Sequence, residues 1–135
     1  MIVRMGKTSK KGLANCVKYG LWGSGYSLNK WHIGDMLILY VDKKLAALAE
    51  VNGEAFVDDT PLWEHGLFRF RIPVKFNYVL NGDDMIPFDP EVTNILIKEW
   101  GVYYGWGILA KRPLSKESSE KLIELIAQKS WCIIL

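Results

Sequence analysis

Six consecutive apolar residues, Met36-Leu37-Ile38-Leu39-Tyr40-Val41, stand between two turn signals, Gly34-Asp35 and Asp42-Lys43-Lys44. A short run with no polar alternation, bounded in this way, reads as a central β-strand buried on both faces. Whatever else the chain does, it must cover that strand from two sides. Residues 45–51 follow the second turn and are expected to pair with it antiparallel.

The other elements are arranged around this strand. Residues 2–5 read as a first strand and Lys7-Thr8-Ser9-Lys10-Lys11 as a polar connection. Residues 11–19 form a short helix with Leu13, Cys16 and Val17 on one face and Gly20 as its stop. Residues 24–30 are loop, and residues 52–66 are the longest stretch without a period, the kind of loop that is usually functional or mobile. Residues 68–74 alternate, which predicts a half-buried strand with Phe68, Phe70 and Ile72 inward and Arg69 and Arg71 outward. Asp89-Pro90-Glu91 combines a cap, a proline at the first helical position and a carboxylate at the positive dipole end, so a helix starts there. Val92, Ile95 and Leu96 make its buried stripe and Gly101 its end. Tyr103-Tyr104-Gly105-Trp106-Gly107 and Ile108-Leu109 follow. Pro113-Leu114-Ser115 caps a last amphipathic helix carrying Leu122, Ile123, Leu125 and Ile126. The apolar residues 131–135 either dock as a strand or lead into a further domain.

At 135 residues the chain is expected to be a single domain over residues 1–135, able to bury a core without staples. Cys16 and Cys132 form no CxxC pair and have no zinc-like spacing to the two histidines, so no metal and no cofactor is expected. The basic start lacks the apolar block of a signal peptide. No stretch approaches the roughly 20 apolar residues of a membrane span. A cytoplasmic protein without membrane contact is therefore expected. Before Asp35 the chain carries Arg4, Lys7, Lys10, Lys11, Lys18 and Lys30 and no acidic residue; the remainder holds 15 acidic groups against 11 basic ones. The first third can attract an anion, or can be a solvated lysine face.

Six tryptophans exceed what one small core requires. Two stand in irregular Gly- or Pro-bearing segments: Trp22 in Leu21-Trp22-Gly23-Ser24-Gly25, and Trp63 in Asp59-Thr60-Pro61-Leu62-Trp63. Indoles on loops can hold a planar ligand; equally, they can close the end of a barrel as a hydrophobic lid. Trp31, Tyr40, Phe56, Phe68 and Phe70 are expected in the core, with Trp100 and Trp106 against the last helices. Tyr26 sits in a Gly/Ser loop and suits either role.

The order of these segments resembles the EVE domains of the PUA-like superfamily and their relatives, the YTH domains that read N6-methyladenine. The resemblance spans roughly residues 2–126. It implies a mixed α+β, PUA-like fold: a curved, barrel-like sheet of about five to six strands flanked by three or so helices. It also implies an aromatic cage walled by Trp22, Trp63 and Leu67. Gly23, Ser24, Thr8, Ser9 and Tyr26 would contact the base edge, and Lys7, Lys10, Lys11, Lys111 and Arg112 the phosphates. The partner implied is nucleic acid, DNA or RNA, single-stranded or with a flipped base. McrB-type restriction systems carry similar modules, which implies an attached or associated motor or nuclease subunit. The chain departs from YTH domains where Lys7-Thr8-Ser9 stands in place of an Asn-rich loop.

Two other functions compete. His65 beside Asp59 could be drawn as a catalytic base, as in ASCH-like hydrolases, but no nucleophile or metal set accompanies it, and a non-catalytic module is expected. Indoles also attract methylated ammonium groups on protein tails, and Asp58-Asp59 beside Trp63 would suit one.

Overall fold

The computed structural model of the protein describes residues 1–64, 66–102 and 113–134. Along the chain come β1 (Val3–Lys7), α1 (Lys10–Tyr19), β2 (Leu21–Ser24), β3 (Met36–Val41), β4 (Lys44–Val51), β5 (Phe56–Val57), β6 (Phe70–Val79), a 3-10 turn (Gly82–Asp84), β7 (Ile86–Pro87), α2 (Pro90–Trp100) and α3 (Lys116–Ile134). The apolar run is β3. It lies inside the five-strand path β1-β3-β4-β6-β2, with short β5 added on β6 and β7 on β4. β1 runs parallel to β3, and the remaining strand pairs are antiparallel. The expected mixed α+β architecture, a curled half-barrel with three helices, is what the chain adopts.

Side-chain alternation in β3 divides the core into two layers. Met36, Ile38 and Tyr40 join Val3, Met5 and Leu48 beneath α2 and α3, which supply Val92, Leu96, Leu122 and Ile126. Leu37, Leu39 and Val41 face the inside of the curl with Leu13 and Cys16 of α1, Trp22 of β2, and Ile72 and Val74 of β6. Burying each such aliphatic side chain contributes about 1.5–3 kcal/mol. The β3–β4 connection is a two-residue turn in which Asp42 and Lys43 both adopt positive φ, 49° and 57°. That geometry matches the twist of the paired strands.

The helix ends follow the sequence signals. Ser9 caps α1, its Oγ accepting from the Gly12 N–H at 3.0 Å, and Gly20 ends it at φ 63°, a conformation that favours glycine. Asp89 caps α2 by accepting from the Val92 N–H at 3.1 Å. The buried Glu99 carboxylate, near the end of α2, accepts from the Ser115 N–H and the Ser118 hydroxyl and so ties the start of α3 to α2.

Several expectations need correction. The alternating strand begins at Phe70, not Phe68, and runs on to Val79. Arg71 does not face solvent but is fully buried, because the loop before β6 lies over that face and offers the carbonyls of Thr60, Leu67 and Phe68 to its guanidinium. Phe68 has left the strand, with φ 45° and 36% exposure, and Phe56 sits exposed on two-residue β5. Val17 is 42% exposed, since the inward stripe of α1 is carried by Leu13 and Cys16. The apolar end is not a strand: α3 continues through it to Ile134. The segment 103–109, with Trp106, lies outside the described residues.

Candidate functional site

Trp22 is not on a loop. It lies in β2, where pairing with Ile72 fixes its direction. Its indole crosses from the last strand of the path to the first, and a Cβ on Gly6 of β1 would fall 2.9 Å from its Cζ2. The ring thus fills the seam between two strands that do not pair. It is only 5% exposed, as a hydrophobic lid rather than an open wall would be, and its indole N–H is buried without a protein acceptor.

The next residue, Gly23, leaves its side of the strand bare, and Trp63 occupies that space. The loop from 58 to 68 carries Trp63 over β2, and its placement has identifiable causes. Asn15 of α1 donates to the Leu62 carbonyl at 3.0 Å. Lys11 of α1 meets Glu64 at 3.5 Å, an exposed pair that contributes little. Phe68 packs edge-on against Trp63 with ring centroids 5.8 Å apart. Arg71 makes the central contribution. Its Nε donates to the Phe68 carbonyl at 3.2 Å and its Nη2 to the carbonyls of Thr60 and of Leu67, the latter at 3.2 Å. Its Nη1 faces Asp58 Oδ2 at 3.5 Å, without hydrogen-bond geometry. Its guanidinium lies over the Trp63 ring, 5.1 Å from the centroid. A buried arginine is stable only when so paired. The same contacts hold Phe68 in a backbone conformation that costs an aromatic residue about 1–3 kcal/mol.

Between α1, β2, the β3–β4 turn and this loop lies a cavity of about 670 Å³. It brings together most of the residues singled out from sequence: Lys7, Thr8, Ser9, Lys11, Trp22, Gly23, Ser24, Tyr26 and Trp63. Leu67 is not in its wall; Phe68 is. Lys10 is exposed on the first turn of α1 outside the lining. Lys111, Arg112 and His65 lie outside the described residues. Sequence reasoning missed Asn15, Cys16, Tyr40, Asp42, Glu64 and Phe68 in the wall and Arg71 behind it. For Asn15 a signal existed: it stands one turn beyond Lys11 and Gly12, which line the same cavity.

Charge at the site is mixed. Desolvation of the Cys16 thiol raises its pKa to about 11, and a hydrogen bond from Trp63 pulls weakly the other way. Asp58 is held below the usual carboxylate range by the Thr60 N–H at 2.8 Å and the Thr60 side chain, and also by the charge of Arg71. Arg4, counted in the basic first third, is bound to buried Asp35 at 3.1 Å and lies over Trp31. His32 donates its backbone N–H to Asp35 and borders a second cavity of about 390 Å³ away from the first. Asp59 pairs with Arg69 at 3.3 Å. Among the described residues no group of three His, Cys, Asp or Glu side chains could hold a metal, and no helix is long and apolar enough to cross a membrane.

The curled sheet in this strand order, with its three helices, is a YTH-like fold, as the comparison with solved structures shows. Among solved structures, the Mmi1 YTH domain in complex with RNA superposes with a TM-score of 0.64 at 14% identity, covering 94% of this chain and 77% of that one. The Pho92 YTH domain in complex with m6A gives 0.61 at 16% identity, covering 93% and 82%. Rpa0253 from Rhodopseudomonas palustris gives 0.63 at 14% identity, covering 95% and 94%. No protein-family model and no curated protein sequence matches the chain.

Proposed function

We propose that the protein is a non-catalytic nucleic-acid-binding module that captures one unpaired, modified base in the cavity beside Trp63. The carrying observation is the set of groups on one cavity: a half-buried indole held rigidly from behind, a second indole in the wall, and hydroxyls at 8, 9 and 24 with the backbone at 23 to meet a base edge. RNA is the favoured polymer, since structures of this fold have been solved with RNA and with m6A. Stacking on an indole contributes about 1–3 kcal/mol per base, whereas burying one methyl adds about 0.8 kcal/mol, so affinity comes from the stack and selectivity from the edge contacts. A base paired in a duplex cannot reach such a cavity unless it is flipped out. Lys7 at the end of β1 and Lys10 and Lys11 at the start of α1, with Lys111 and Arg112, would follow the phosphates, and attachment to a motor or nuclease partner belongs to the same proposal.

Quenching of tryptophan fluorescence by single-stranded oligoribonucleotides, with N6-methyladenine or plain adenine at one position, tests it. Trp63→Ala should weaken binding at least tenfold, and Trp22→Ala by a comparable factor. Each phosphate contact adds about −0.7 to the slope of log affinity against log salt. Unchanged affinity in both variants would remove the site.

A further inference from the structure

The charge buried behind Trp63 decides which chemical class the cavity can hold. We infer that the site is selective for a neutral heterocycle and discriminates against cationic ligands, both bases that carry a fixed positive charge and methylated ammonium groups. The inference rests on the base-capturing reading above and narrows its ligand.

One face of the Trp63 ring is already occupied by the guanidinium of Arg71, 5.1 Å from the centroid. Arg71 is fully removed from water, so its charge acts through protein rather than through solvent. The compensating Asp58 carboxylate is 41% exposed and sits 3.5 Å from Nη1 with no hydrogen bond between the two, so solvent screens it more than it screens Arg71. At the rim the lining charges balance in number, Lys7 and Lys11 against Asp42 and Glu64, with Lys11 and Glu64 3.5 Å apart. What remains at the stacking wall is positive. A ligand on the free face of the indole would lie about 9 Å from the guanidinium, where a unit charge changes affinity by roughly tenfold after partial compensation. The attraction an indole offers a cation is of similar size, and here Arg71 already draws on it.

The test titrates the intact protein with oligoribonucleotides carrying N6-methyladenine, which is neutral, or N1-methyladenine, which is a cation, and adds tetramethylammonium as a competitor. Asp58→Asn is the chosen variant because an amide oxygen can still accept from Thr60 while the compensating charge is lost; thermal melting checks that it remains folded. Expected are about tenfold tighter binding of the neutral base, a gap several-fold wider in Asp58→Asn, and no displacement by millimolar tetramethylammonium. Equal or tighter binding of the cation, displacement by tetramethylammonium, or a gap that Asp58→Asn leaves unmoved would overturn the inference while leaving base capture standing. Failure of every oligonucleotide to bind would reject base capture itself, and this inference with it.

Discussion

The benzo edge of Trp63 rests where a side chain at residue 23 would be: a Cβ on Gly23 would lie 2.7 Å from both Cη2 and Cζ3 of that indole, and 2.8 Å from Cβ of Phe68. The glycine is required by its neighbours, since a Cβ there cannot be accommodated without moving a ring that Arg71, Phe68 and Asn15 together hold in place.

Gly23→Ala should therefore displace Trp63 rather than unfold the sheet. Overpacking of this kind costs about 1–3 kcal/mol, and the displaced ring no longer faces the cavity. Affinity for a single-stranded oligonucleotide should fall at least tenfold while far-ultraviolet circular dichroism stays unchanged. Native affinity in this variant would show that the position of Trp63 does not matter to binding.

A different result is expected at the seam. A Cβ on Gly6 would press on Cζ2 and Cη2 of Trp22 at 2.9 and 3.0 Å and approach Leu39 Cδ2 at 3.4 Å. Trp22 belongs to the inner core layer and cannot swing into solvent as a loop residue could. Gly6→Ala should lower the unfolding free energy by about 1–3 kcal/mol, read from urea denaturation. The stability loss should exceed that of Gly23→Ala, because the seam joins the two ends of the sheet.

How much of this was legible in the sequence depends on where each residue's environment comes from. The apolar run at 36–41, the Asp89-Pro90 cap and the Gly20 stop act through local chemistry, and all three were read correctly. The resemblance implies one site for Trp22, Trp63 and residues 7–11, and the cavity wall contains both indoles with Lys7, Thr8, Ser9 and Lys11 but not Lys10. Arg71 was misread because alternation assigns faces to a strand but cannot say whether the outward face is covered. Here the loop three to eleven residues before it folds back over it, and the carbonyls of Thr60, Leu67 and Phe68 become its partners. Phe68 was misread for the same reason: its positive φ is imposed by that loop and leaves no trace in hydrophobic periodicity.

Acid stability should report on Asp35. Burial opposes its charge more than any single contact favours it, yet the His32 N–H at 3.0 Å, Arg4 at 3.1 Å and the Ile2 N–H at 3.2 Å together hold its pKa below the ordinary 3.8. A carboxyl whose folded pKa is depressed contributes stability that is complete above its unfolded pKa and is lost as the pH falls through the folded value. Asp35→Asn should cost about 1–3 kcal/mol at pH 7, and the difference from the native chain should shrink below pH 3.8. A difference independent of pH, measured by denaturant titration from pH 7 to pH 2.5, would mean that Asp35 contributes shape and not charge.

Cys16 offers a view of the loop from beneath. Its thiol lines the cavity, is buried, and touches Trp63, with a pKa raised from 9.0 to about 11 by loss of hydration. The neutral thiol is favoured by the fold, so this contribution to stability is whole below pH 9.0 and is lost between there and about 11. At pH 8 Cys16 is protonated, and alkylation by iodoacetamide, mapped by peptide mass spectrometry to separate it from Cys132, should proceed mainly through opening of the 58–68 loop. Arg71→Lys keeps a positive charge but cannot bond three carbonyls from one planar fork, so it should speed the alkylation of Cys16 several-fold. A saturating oligonucleotide should slow the reaction in the native chain by holding Trp63 in place. Equal rates in the native chain and Arg71→Lys would show that the loop is fixed by its other contacts, to α1 at Asn15 and Lys11, and that Arg71 is not what keeps the wall of the cavity in position.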